Sequence, residues 1–438
     1  MTEGIIKYAN NKWKSAFRRL VLDELLNEKS STNKLKSRIL LAKFIFGKKI
    51  ILNEIEDISM VLKGEEIVES SVETNVGHRV NGKKPATAEV KLPSLKYYVA
   101  KDVIVNPESP ILFLNSSDRL VRQFFPYPDQ LNISYTSGNI FGTNKNKHVA
   151  DVSYNKVVSK GIMLTGSYSK NWYHWTIEIL SRAAVFQKIP DFIKEYPLVV
   201  PAKCANSKNH YDILKLAFPE SKITAIDDNT LISNCVYIDS PMLKDPHRYL
   251  ILNDYDILNS GNNIRYLLNE YRSLIFDNLR KYDNISLEKS HYSRKIFLAR
   301  KQHKRSYNQD EVEQALKLKG YIAVYLEDMS VKEQILQLQN ADYVVGPTGA
   351  AWANLLFSDA KGALIWAPSC ITESITYTKI AQATKTNLHY MTFPTEAEKW
   401  SEFMKTKKPY HLDVNDLLEK VGIMENESAY KIQANQEI

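Results

Sequence analysis

The chain has few cysteines and no long apolar run. Its 438 residues include three cysteines, Cys204, Cys235 and Cys370, which lie far apart in sequence. An odd, widely spaced set argues against a secreted disulfide framework and favours a reducing compartment. No apolar run reaches the roughly 18 residues of a transmembrane helix, and no signal peptide opens the sequence. We therefore expect a cytoplasmic protein.

Several common functional motifs are also missing. No GxGxxG follows a predicted strand, which argues against an NAD(P)-dependent oxidoreductase. The segment HWTIE lacks the two-histidine spacing of zinc metalloproteases, so no metal site is expected there. No nucleic-acid-binding motif appears. The remaining composition, 44% hydrophobic and 25% charged, is typical of a folded enzyme-sized protein of two or three domains.

The positive charge is concentrated at the front of the chain. Residues 1–50 hold 12 Lys and Arg against 4 Asp and Glu, whereas the rest holds 46 of each sign. An apolar stripe that includes Trp13 and Phe17 lies beside these basic residues. The segment fits two interpretations: a basic helix that docks on an anionic membrane surface, or a helical cap on the next domain. Membrane-peripheral binding through residues 1–50 is therefore one of two expectations.

The most informative segment is NADYVVGPTGAAWANLLF, residues 340–357. An apolar strand ends at Gly346, a small-residue turn follows, and a helix is predicted to open with two alanines. Glycine permits close approach of a ligand to the backbone, and the N-terminus of a helix favours an anion. The segment therefore indicates either a cradle for a nucleotide diphosphate or an ordinary tight turn in an α/β domain.

Strand and helix patterns alternate after residue 290. Such alternation with short connections predicts a doubly wound parallel sheet that binds a nucleotide. Ser330 and Glu333 form a capping-box pattern before one of the helices. Strands are predicted at 295–300, 321–326, before Gly346, at 362–367 and from His389, and helices at 309–318, after Ser330 and at 377–384.

Ligands of such sheets bind beyond the carboxyl ends of the strands. Basic residues there can neutralise a diphosphate leaving group in place of a metal ion. Glu327 is a candidate for accepting hydrogen bonds from ribose hydroxyls. The residues at these positions are Arg300, Lys301, Arg305, Glu327, Thr348 and Glu373.

A second candidate site lies upstream, in GSYSKNWYHWTIEILSR, residues 166–182. A strand at 161–165 leads into a helix on which His174 and Glu178 are four residues apart and face the same way. A carboxylate beside an imidazole raises its basicity, so His174 is a candidate general base, with Glu178 as its orienting partner or as the base itself. A buried histidine–glutamate pair is the alternative. The polar and aromatic residues of the opening turn are candidates for binding an acceptor sugar: Asn171, Trp172, Tyr173 and Trp175.

Together these motifs resemble glycosyltransferase family 61. The resemblance rests on NWYHW followed by an acidic residue, FLARK with a later Arg and Asn, EQI, and VVGPTGAAWANLLF, and it spans residues 99–368. It implies two facing Rossmann-like domains of the GT-B type and transfer of a sugar from a nucleotide sugar with inversion. The family commonly has histidine where this chain has Thr348, which puts a direct role for position 348 in doubt.

The resemblance also assigns roles by position. His174 and Glu178 occupy the histidine–tryptophan helix of the family, and Gln334 lies in its second donor-domain helix. A nucleotide sugar and a glycan or glycolipid acceptor are the implied partners, with no cofactor required; a capsular or lipopolysaccharide product is expected from context. The donor-binding residues so implied are Arg300, Arg305, Asn308, Gly346, Gly349, Ala350 and Asn354.

The expected organisation has four parts. Residues 1–90 are expected to form a basic helical region and a linker or exposed hairpin. The Rossmann-like acceptor domain covers 91–285, with a long helix at about 256–282, and the donor domain covers 286–395. A helical tail at 396–438 is expected to cross back to the acceptor domain, as in other GT-B chains.

Two other functions stay open at this point. Asp254 and Asp256 form a carboxylate pair that could bind Mn²⁺ in a metal-dependent GT-A transferase, or could simply cap the next helix. A non-catalytic carbohydrate-binding protein would also carry the aromatic residues without using a base.

Overall fold

The structure is a computed structural model of the chain. It describes residues 37, 39–40, 48–79, 86–123, 138–144, 147–243, 262–263, 265–283, 292–301, 305–371, 373–374, 376–398, 402–403 and 408–436. Most of the basic segment 1–50 lies outside these residues, so the two interpretations of that segment stay predictions. Asp254 and Asp256 also lie outside them.

The strands are as follows, in chain order: β1 Ile50–Asp57, β2 Glu65–Val68, β3 Ser71–Arg79, β4 Ala86–Leu92, β5 Leu95–Val105, β6 Leu112–Leu114, β7 Arg119–Arg122, β8 Ile140–Asn144, β9 Lys147–Asp151, β10 Lys156–Met163, β11 Leu198–Pro201, β12 Ile223–Ile226, β13 Thr230–Ile238, β14 Met242–Leu243, β15 Asn262–Asn263, β16 Lys295–Leu298, β17 Ile322–Val324, β18 Tyr343–Pro347, β19 Gly362–Pro368, β20 Glu373–Ser374 and β21 Asn387–Phe393.

The α-helices are α1 Ile58–Val61, α2 Arg182–Phe186, α3 Asp191–Lys194, α4 Ala202–Ala205, α5 Lys208–Ala217, α6 Arg265–Asp283, α7 Gln309–Leu318, α8 Val331–Asn340, α9 Thr376–Thr384 and α10 Val414–Gln436. A π-helix covers His174–Ile179, and 3₁₀-helices cover Leu326–Asp328 and Ala350–Phe357. The chain is therefore a mixed α/β protein, as predicted.

The second half of the chain forms a five-stranded sheet in the order β17-β16-β18-β19-β21, and every neighbouring pair is parallel. In sequence terms this order is 2-1-3-4-5, one of the two common doubly wound arrangements. Strand β19 is buried along its whole length, as expected for a strand covered on both faces. The predicted parallel sheet is thus confirmed.

Helix prediction in this half was accurate where local signals were strong. Helix α7 has the predicted bounds. The capping box before α8 is present, because Ser330 accepts from the backbone of Glu333 while the Glu333 side chain accepts from Ser330. The predicted helix after Gly349 is a 3₁₀-helix instead of an α-helix. Six consecutive residues of this segment, 352–357, are buried, so packing decides its geometry more than propensity does.

The first half forms an eleven-stranded mixed sheet within the described residues. One side is parallel, in the order β12-β11-β10-β13. In sequence terms this order is 3-2-1-4, the first part of the Rossmann order. The other side is mostly antiparallel and runs from β5 through β6, β7, β1 and β9 to β8. A fully Rossmann-like first domain is therefore not what the structure contains.

Within the region that was expected to be helical, residues 50–57 form a strand, and so do residues 65–68 next to the expected linker. Strand β1 pairs with β7 and β9, and β2 pairs with β5, so both join the large sheet. Strands β3 and β4 pair antiparallel, in agreement with the hairpin alternative, and the Asn–Gly pair at 81–82 lies outside the described residues. Strand β3 also pairs with the short strand β20 of the second half. These pairings join residues far apart in sequence, which local patterns do not reveal.

The C-terminal helix packs on the sheet of its own half. On α10, Glu425 accepts hydrogen bonds from Lys295, the first residue of β16, and from Tyr321, which precedes β17. Gly362 lies against Met424 and Ser428, because a Cβ there would come within 3.0 Å of the first and 2.7 Å of the second. The prediction that this tail crosses back to the first half is therefore wrong for the described helix.

No helix among the described residues is long and apolar enough to cross a membrane. The cysteines Cys204, Cys235 and Cys370 are unpaired, and the first two are buried.

Candidate functional site

A pocket of about 250 Å³ lies at the carboxyl ends of β16, β17 and β18. Strands β16 and β18 are neighbours, yet the chain leaves β16 for β17 on one side and returns to β18 on the other. Such a switch point opens a crevice in which doubly wound proteins bind their ligands. The pocket walls include Arg300, Arg305, Glu327, Gly349 and Ala350.

Glycine allows close contacts at two positions beside this pocket. A Cβ at Gly346 would lie 2.9 Å from Leu298 Cβ, so only glycine allows the two strands to approach. A Cβ at Gly349 would lie 2.5 Å from Arg300 Nη2. The guanidinium group of Arg300 lies in the space that a side chain at position 349 would occupy. This contact gives a physical reason for glycine at that position of the turn.

Arg300 is held by main-chain oxygens. Its Nη2 donates to the Pro347 carbonyl at 3.4 Å and to the Thr348 carbonyl. The backbone N–H of Arg300 donates to Gln309 Oε1 at 3.0 Å, and its carbonyl accepts from Gln309 Nε2 at 3.0 Å. A guanidinium group has five N–H donors, so this arrangement fixes its position and still leaves donors for an anion.

Arg305 lies beside Arg300 at the same turn. Its guanidinium nitrogen is 3.8 Å from the position of a Cβ at Gly349. Burial, followed by the positive charge of Arg300, lowers the pKa of Arg305 to about 10. Two like charges in a partly desolvated pocket are stabilised by an anion between them. We call Arg300, Arg305 and Gly349 the arginine half of the site.

Two predicted donor residues lie outside this pocket. The Lys301 side chain forms an ion pair with Asp328, and only its backbone N–H points to the site, donating to Glu327 at 2.9 Å. The Asn308 side chain donates to Glu311 and to the Leu412 carbonyl, and it accepts from the Leu412 N–H. These hydrogen bonds attach the segment before α10 to the start of α7. Both side chains are therefore occupied by structural contacts.

The remaining predicted donor residues are divided between the pocket and the core. The backbone N–H of Thr348 donates to the Trp366 carbonyl at 2.9 Å, and the Thr348 side chain forms a hydrogen bond with Tyr377. Asn354 is buried and donates to Gln334 at 3.0 Å. Glu327 and Ala350 line the pocket, whereas Thr348 and Asn354 support it from behind.

His174 and Glu178 are paired at the end of the parallel part of the first sheet. The Nδ1 atom of His174 lies 2.5 Å from Glu178 Oε2, and their side chains are only 14% and 13% exposed. They lie on a π-helix, in which the Leu180 N–H donates to the Trp175 carbonyl five residues back. The predicted helix and the predicted pairing are both present, and the helix is of the π type. We call His174 and Glu178 the histidine half of the site.

The π-helix is fixed at both ends. At its start, Asn171 Oδ1 accepts from the backbone N–H groups of Tyr173 at 2.9 Å and His174 at 3.5 Å. Near its end, Ser240 Oγ donates to the Glu178 carbonyl at 3.0 Å. Ser240 follows β13, the neighbour of β10, so the histidine half lies at the switch point of the 3-2-1-4 sheet. Asn171 positions the helix, which is a different task from the predicted contact with an acceptor.

The aromatic residues of this segment face inward. Trp175 is completely buried and donates to the His210 carbonyl at 3.0 Å, so the prediction that its ring offers a surface to a sugar is wrong. Tyr173 is 5% exposed, and burial raises its pKa well above the usual value. Trp172 lies edge-on to His210 at 5.5 Å. Packing in the core accounts for Tyr173 and Trp175, whereas Trp172 is partly buried at the edge of the core.

Two contacts join the arginine half to the histidine half. Trp172 Nε1 donates to Asn354 Oδ1 at 2.9 Å. The Tyr173 ring meets the Tyr377 ring edge-on with centroids 6.0 Å apart, and the Tyr377 hydroxyl donates to the Gly349 carbonyl at 2.9 Å. The segment that carries His174 is therefore adjacent to the turn at Gly349, although 175 positions separate His174 from Gly349 in the sequence.

Sequence reasoning missed Tyr377. It lies on α9, shortly after strand β19 ends, and inspecting a few more residues beyond that strand would have included it. Its bond to Gly349 comes from tertiary packing and has no motif of its own.

Fold and site define an α/β protein with a pocket lined by two arginines at a switch point, adjacent to a histidine–carboxylate pair. Comparison with protein families gives a match to Glycosyltransferase 61 over residues 172–365, which contain both halves of the site. The resemblance drawn from the motifs is thus confirmed over a shorter range than 99–368, and the match supports glycosyltransferase activity. A sugar donor and a glycan acceptor are the partners that this family implies.

Comparison with curated proteins gave no match. In the part of the chain that the structure describes, no group of three or more His, Cys, Asp or Glu side chains is arranged to hold a metal ion.

Proposed function

We propose that this protein is an inverting glycosyltransferase that moves a sugar from a nucleotide sugar to a glycan or glycolipid acceptor. One observation carries the proposal: two adjacent guanidinium groups, Arg300 and Arg305, surround Gly349 in a pocket at the switch point of a parallel sheet. A nucleoside diphosphate is the leaving group that such a pocket suits, because guanidinium groups bind phosphate oxygens with charge-assisted hydrogen bonds.

The proposed reaction is one displacement at the anomeric carbon. His174, oriented by Glu178, takes the proton from the acceptor hydroxyl while the acceptor oxygen forms a bond to the anomeric carbon. The bond from that carbon to the phosphate oxygen breaks, and the diphosphate keeps the electron pair. Arg300 and Arg305 then stabilise the added negative charge on the leaving group.

We propose a GT-B-type arrangement, with residues 91–285 as the acceptor unit and 286–395 as the donor unit. The 3-2-1-4 and 2-1-3-4-5 sheets support it, because each carries its half of the site at a switch point. Strands β1 and β2 extend the acceptor unit towards the N-terminus. Glu327 is the proposed partner of the ribose hydroxyls, since it lines the pocket beyond β17.

No metal is required in this proposal, because the two arginines neutralise the diphosphate. We further propose a cytoplasmic, membrane-peripheral enzyme of surface polysaccharide synthesis, capsular or lipopolysaccharide. This part rests on the family resemblance and on the basic segment 1–50, and the donor screen below decides between hexosyl and pentosyl transfer.

The test is a screen of nucleotide sugars for thermal stabilisation and for hydrolysis, each with and without EDTA. We expect one nucleotide to stabilise the wild type, Arg300→Ala to remove the stabilisation, and EDTA to have no effect. Stabilisation by none of the nucleotide sugars would contradict the proposal. Activity that EDTA abolishes and Mn²⁺ restores would instead favour the metal-dependent alternative with Asp254 and Asp256.

A further inference from the structure

Tyr168 is an exposed aromatic ring beside the candidate base. Its ring centroid lies 5.4 Å from that of His174 with an angle of 34° between the planes, and 52% of its surface is exposed. Among described residues, the other aromatic side chain in contact with the His174 ring is Tyr173, which is buried. A ligand that approaches His174 therefore meets the ring of Tyr168.

The backbone of Tyr168 is in an unfavourable conformation. Its φ is 56°, in the left-handed region that side chains with a bulky Cβ substituent avoid. Asp102, Asp118 and Lys385 are the other non-glycine residues with positive φ among the described ones. Tyr168 is the aromatic member of this set. Strained residues of this kind persist where the surrounding structure holds them, and they cluster at binding and catalytic sites.

The surrounding loop holds Tyr168 in place through consecutive carbonyl groups. The Tyr168 carbonyl accepts from the Asn171 N–H at 2.8 Å, and the Ser169 carbonyl accepts from Cys204 Sγ at 3.4 Å. The Lys170 carbonyl lies 3.2 Å from His210 Nε2. The ring is thus presented by a fixed loop, which favours ligand binding because little freedom is lost when the ligand arrives.

We infer that Tyr168 is the platform on which the acceptor sugar stacks before His174 takes its proton. The inference rests on the proposed function, and it replaces the three aromatic residues that the sequence indicated. The apolar face of a pyranose or furanose ring, rich in C–H groups, would lie on the tyrosine ring. One hydroxyl of that sugar would then point to His174.

Substitutions at Tyr168 can distinguish the effect of losing the ring from the effect of relieving the backbone strain. Tyr168→Gly removes the platform and also relieves the positive φ, whereas Tyr168→Ala removes the platform only. Tyr168→Phe keeps the ring. Lys385→Gly is the matched control, because it relieves a φ of 59° at the amino end of β21, the edge of the sheet opposite the pocket.

The measurements separate acceptor binding from nucleotide binding and from folding. Thermal melting reports folding, and calorimetric titration with UDP, GDP and ADP reports the pocket at Gly349. Saturation-transfer NMR with methyl hexosides and methyl pentosides, on the nucleotide-loaded protein, reports the platform. We expect Tyr168→Gly to melt no lower than wild type and to bind the nucleotide normally. Its affinity for the methyl glycoside should fall about 10-fold or more, as in Tyr168→Ala, while Tyr168→Phe and Lys385→Gly should retain it.

Each failure has its own meaning. The platform would be overturned if Tyr168→Gly still bound the glycoside, or if Tyr168→Phe lost as much glycoside affinity as Tyr168→Gly. It would also be overturned if the wild type showed no saturation transfer to any glycoside. Failure of the wild type to bind any nucleotide would refute the proposed function instead. In that event the glycoside titrations are repeated on the nucleotide-free protein. Loss of binding in Tyr168→Gly and Tyr168→Ala, with binding retained in Tyr168→Phe and Lys385→Gly, would keep Tyr168 as a sugar-binding residue.

Discussion

The arginine half of the candidate site depends on main-chain groups, whereas the histidine half depends on side chains. In the arginine half, main-chain carbonyls hold Arg300, and the absence of a side chain at Gly349 provides the space. In the histidine half, two side chains form the site, and a π-helix brings them together. The position of the first half follows from sheet topology, whereas the second depends on local helix geometry and on packing around it.

This difference has a practical consequence. Substitutions in the arginine half are expected to affect nucleotide binding and turnover together, because the diphosphate contacts these groups before and during the reaction. Substitutions in the histidine half are expected to affect turnover alone, since a base acts only when the proton moves. The following experiments test this contrast, beginning with the largest expected effect.

Removing the base should give the largest effect. We expect His174→Ala to lower kcat by about 10²–10⁴-fold, the usual contribution of a general base, with the Kd of the nucleoside diphosphate unchanged. Glu178→Gln should lower kcat less. If the two act as one unit, the double variant should lose little more than His174→Ala alone. A weakened nucleotide affinity in His174→Ala would mean that the two halves are not functionally separate.

Removing the guanidinium group of Arg300 should affect both turnover and nucleotide binding. We expect Arg300→Ala to lower kcat/KM by about 10²–10³-fold, comparable to the loss of a charge-stabilising donor elsewhere, and to raise the Kd of the nucleoside diphosphate. Lys301→Ala is the matched control, because its side chain is paired with Asp328 outside the pocket. Equal losses in the two variants would indicate a general effect of positive charge and would contradict a specific role for Arg300.

Breaking the contact between the halves should give a smaller effect. Trp172→Phe leaves the buried Oδ1 atom of Asn354 without its indole donor, which should lower the free energy of unfolding by about 1–3 kcal/mol. Trp175→Phe removes a similar bond, to the His210 carbonyl, in the core of the first half of the chain. Denaturant titration should find both variants destabilised, while steady-state kinetics should find kcat lowered only in Trp172→Phe. A lowered kcat in both would show that the contact between halves has no special role.

The last prediction concerns the stability of the fold next to the histidine half and involves no change in catalysis. Burial raises the pKa of Asp239, which follows β13, to about 7, although the Lys96 N–H at 2.9 Å and the charge of Arg182 oppose the shift. In the unfolded chain this carboxyl titrates near pH 4. The unfolded state therefore releases the proton first, and the free energy of unfolding falls as pH rises from about 4 to 7, then levels off.

Asp239→Asn should remove that dependence. The amide oxygen still accepts from Lys96, and no charge has to be buried above pH 7. Urea titrations across this pH range should give a flatter profile than wild type, by an amount on the order of a few kcal/mol. Asp191→Asn, at a side chain that is 95% exposed, is the control and should leave the slope unchanged. Parallel profiles for wild type and Asp239→Asn would contradict the raised pKa.

The accuracy of sequence-based prediction differed between the two sheets for a physical reason. In the second half, each strand and helix carries a local signal, such as the capping box of Ser330 and Glu333, and parallel strands joined by helices follow a small set of topologies. In the first half, β1 pairs with β7 and β9, and β3 pairs with β20 some 300 residues later. Such pairings depend on residues that are distant in sequence, which a window of neighbouring residues does not contain.

The same division holds within the candidate site. The i, i+4 spacing was enough to predict the contact between His174 and Glu178, and it was not enough to predict a π-helix. Aromatic residues near His174 were predicted to face the ligand, yet Trp175 is in the core. A sequence shows that a ring is present, but burial is decided by what packs against it.

By itself, the sequence determined the chemistry and its order along the chain: the parallel sheet after residue 290, the glycines of its turn, the arginines after β16 and the histidine–glutamate pair. Only the tertiary structure decided which of these groups meet. It brought Arg300 to Gly349, paired Lys301 with Asp328, buried Trp175, and left Tyr168 exposed beside His174. The reason is that spacing fixes which neighbours share a face, whereas contacts between distant residues depend on the packing of whole elements.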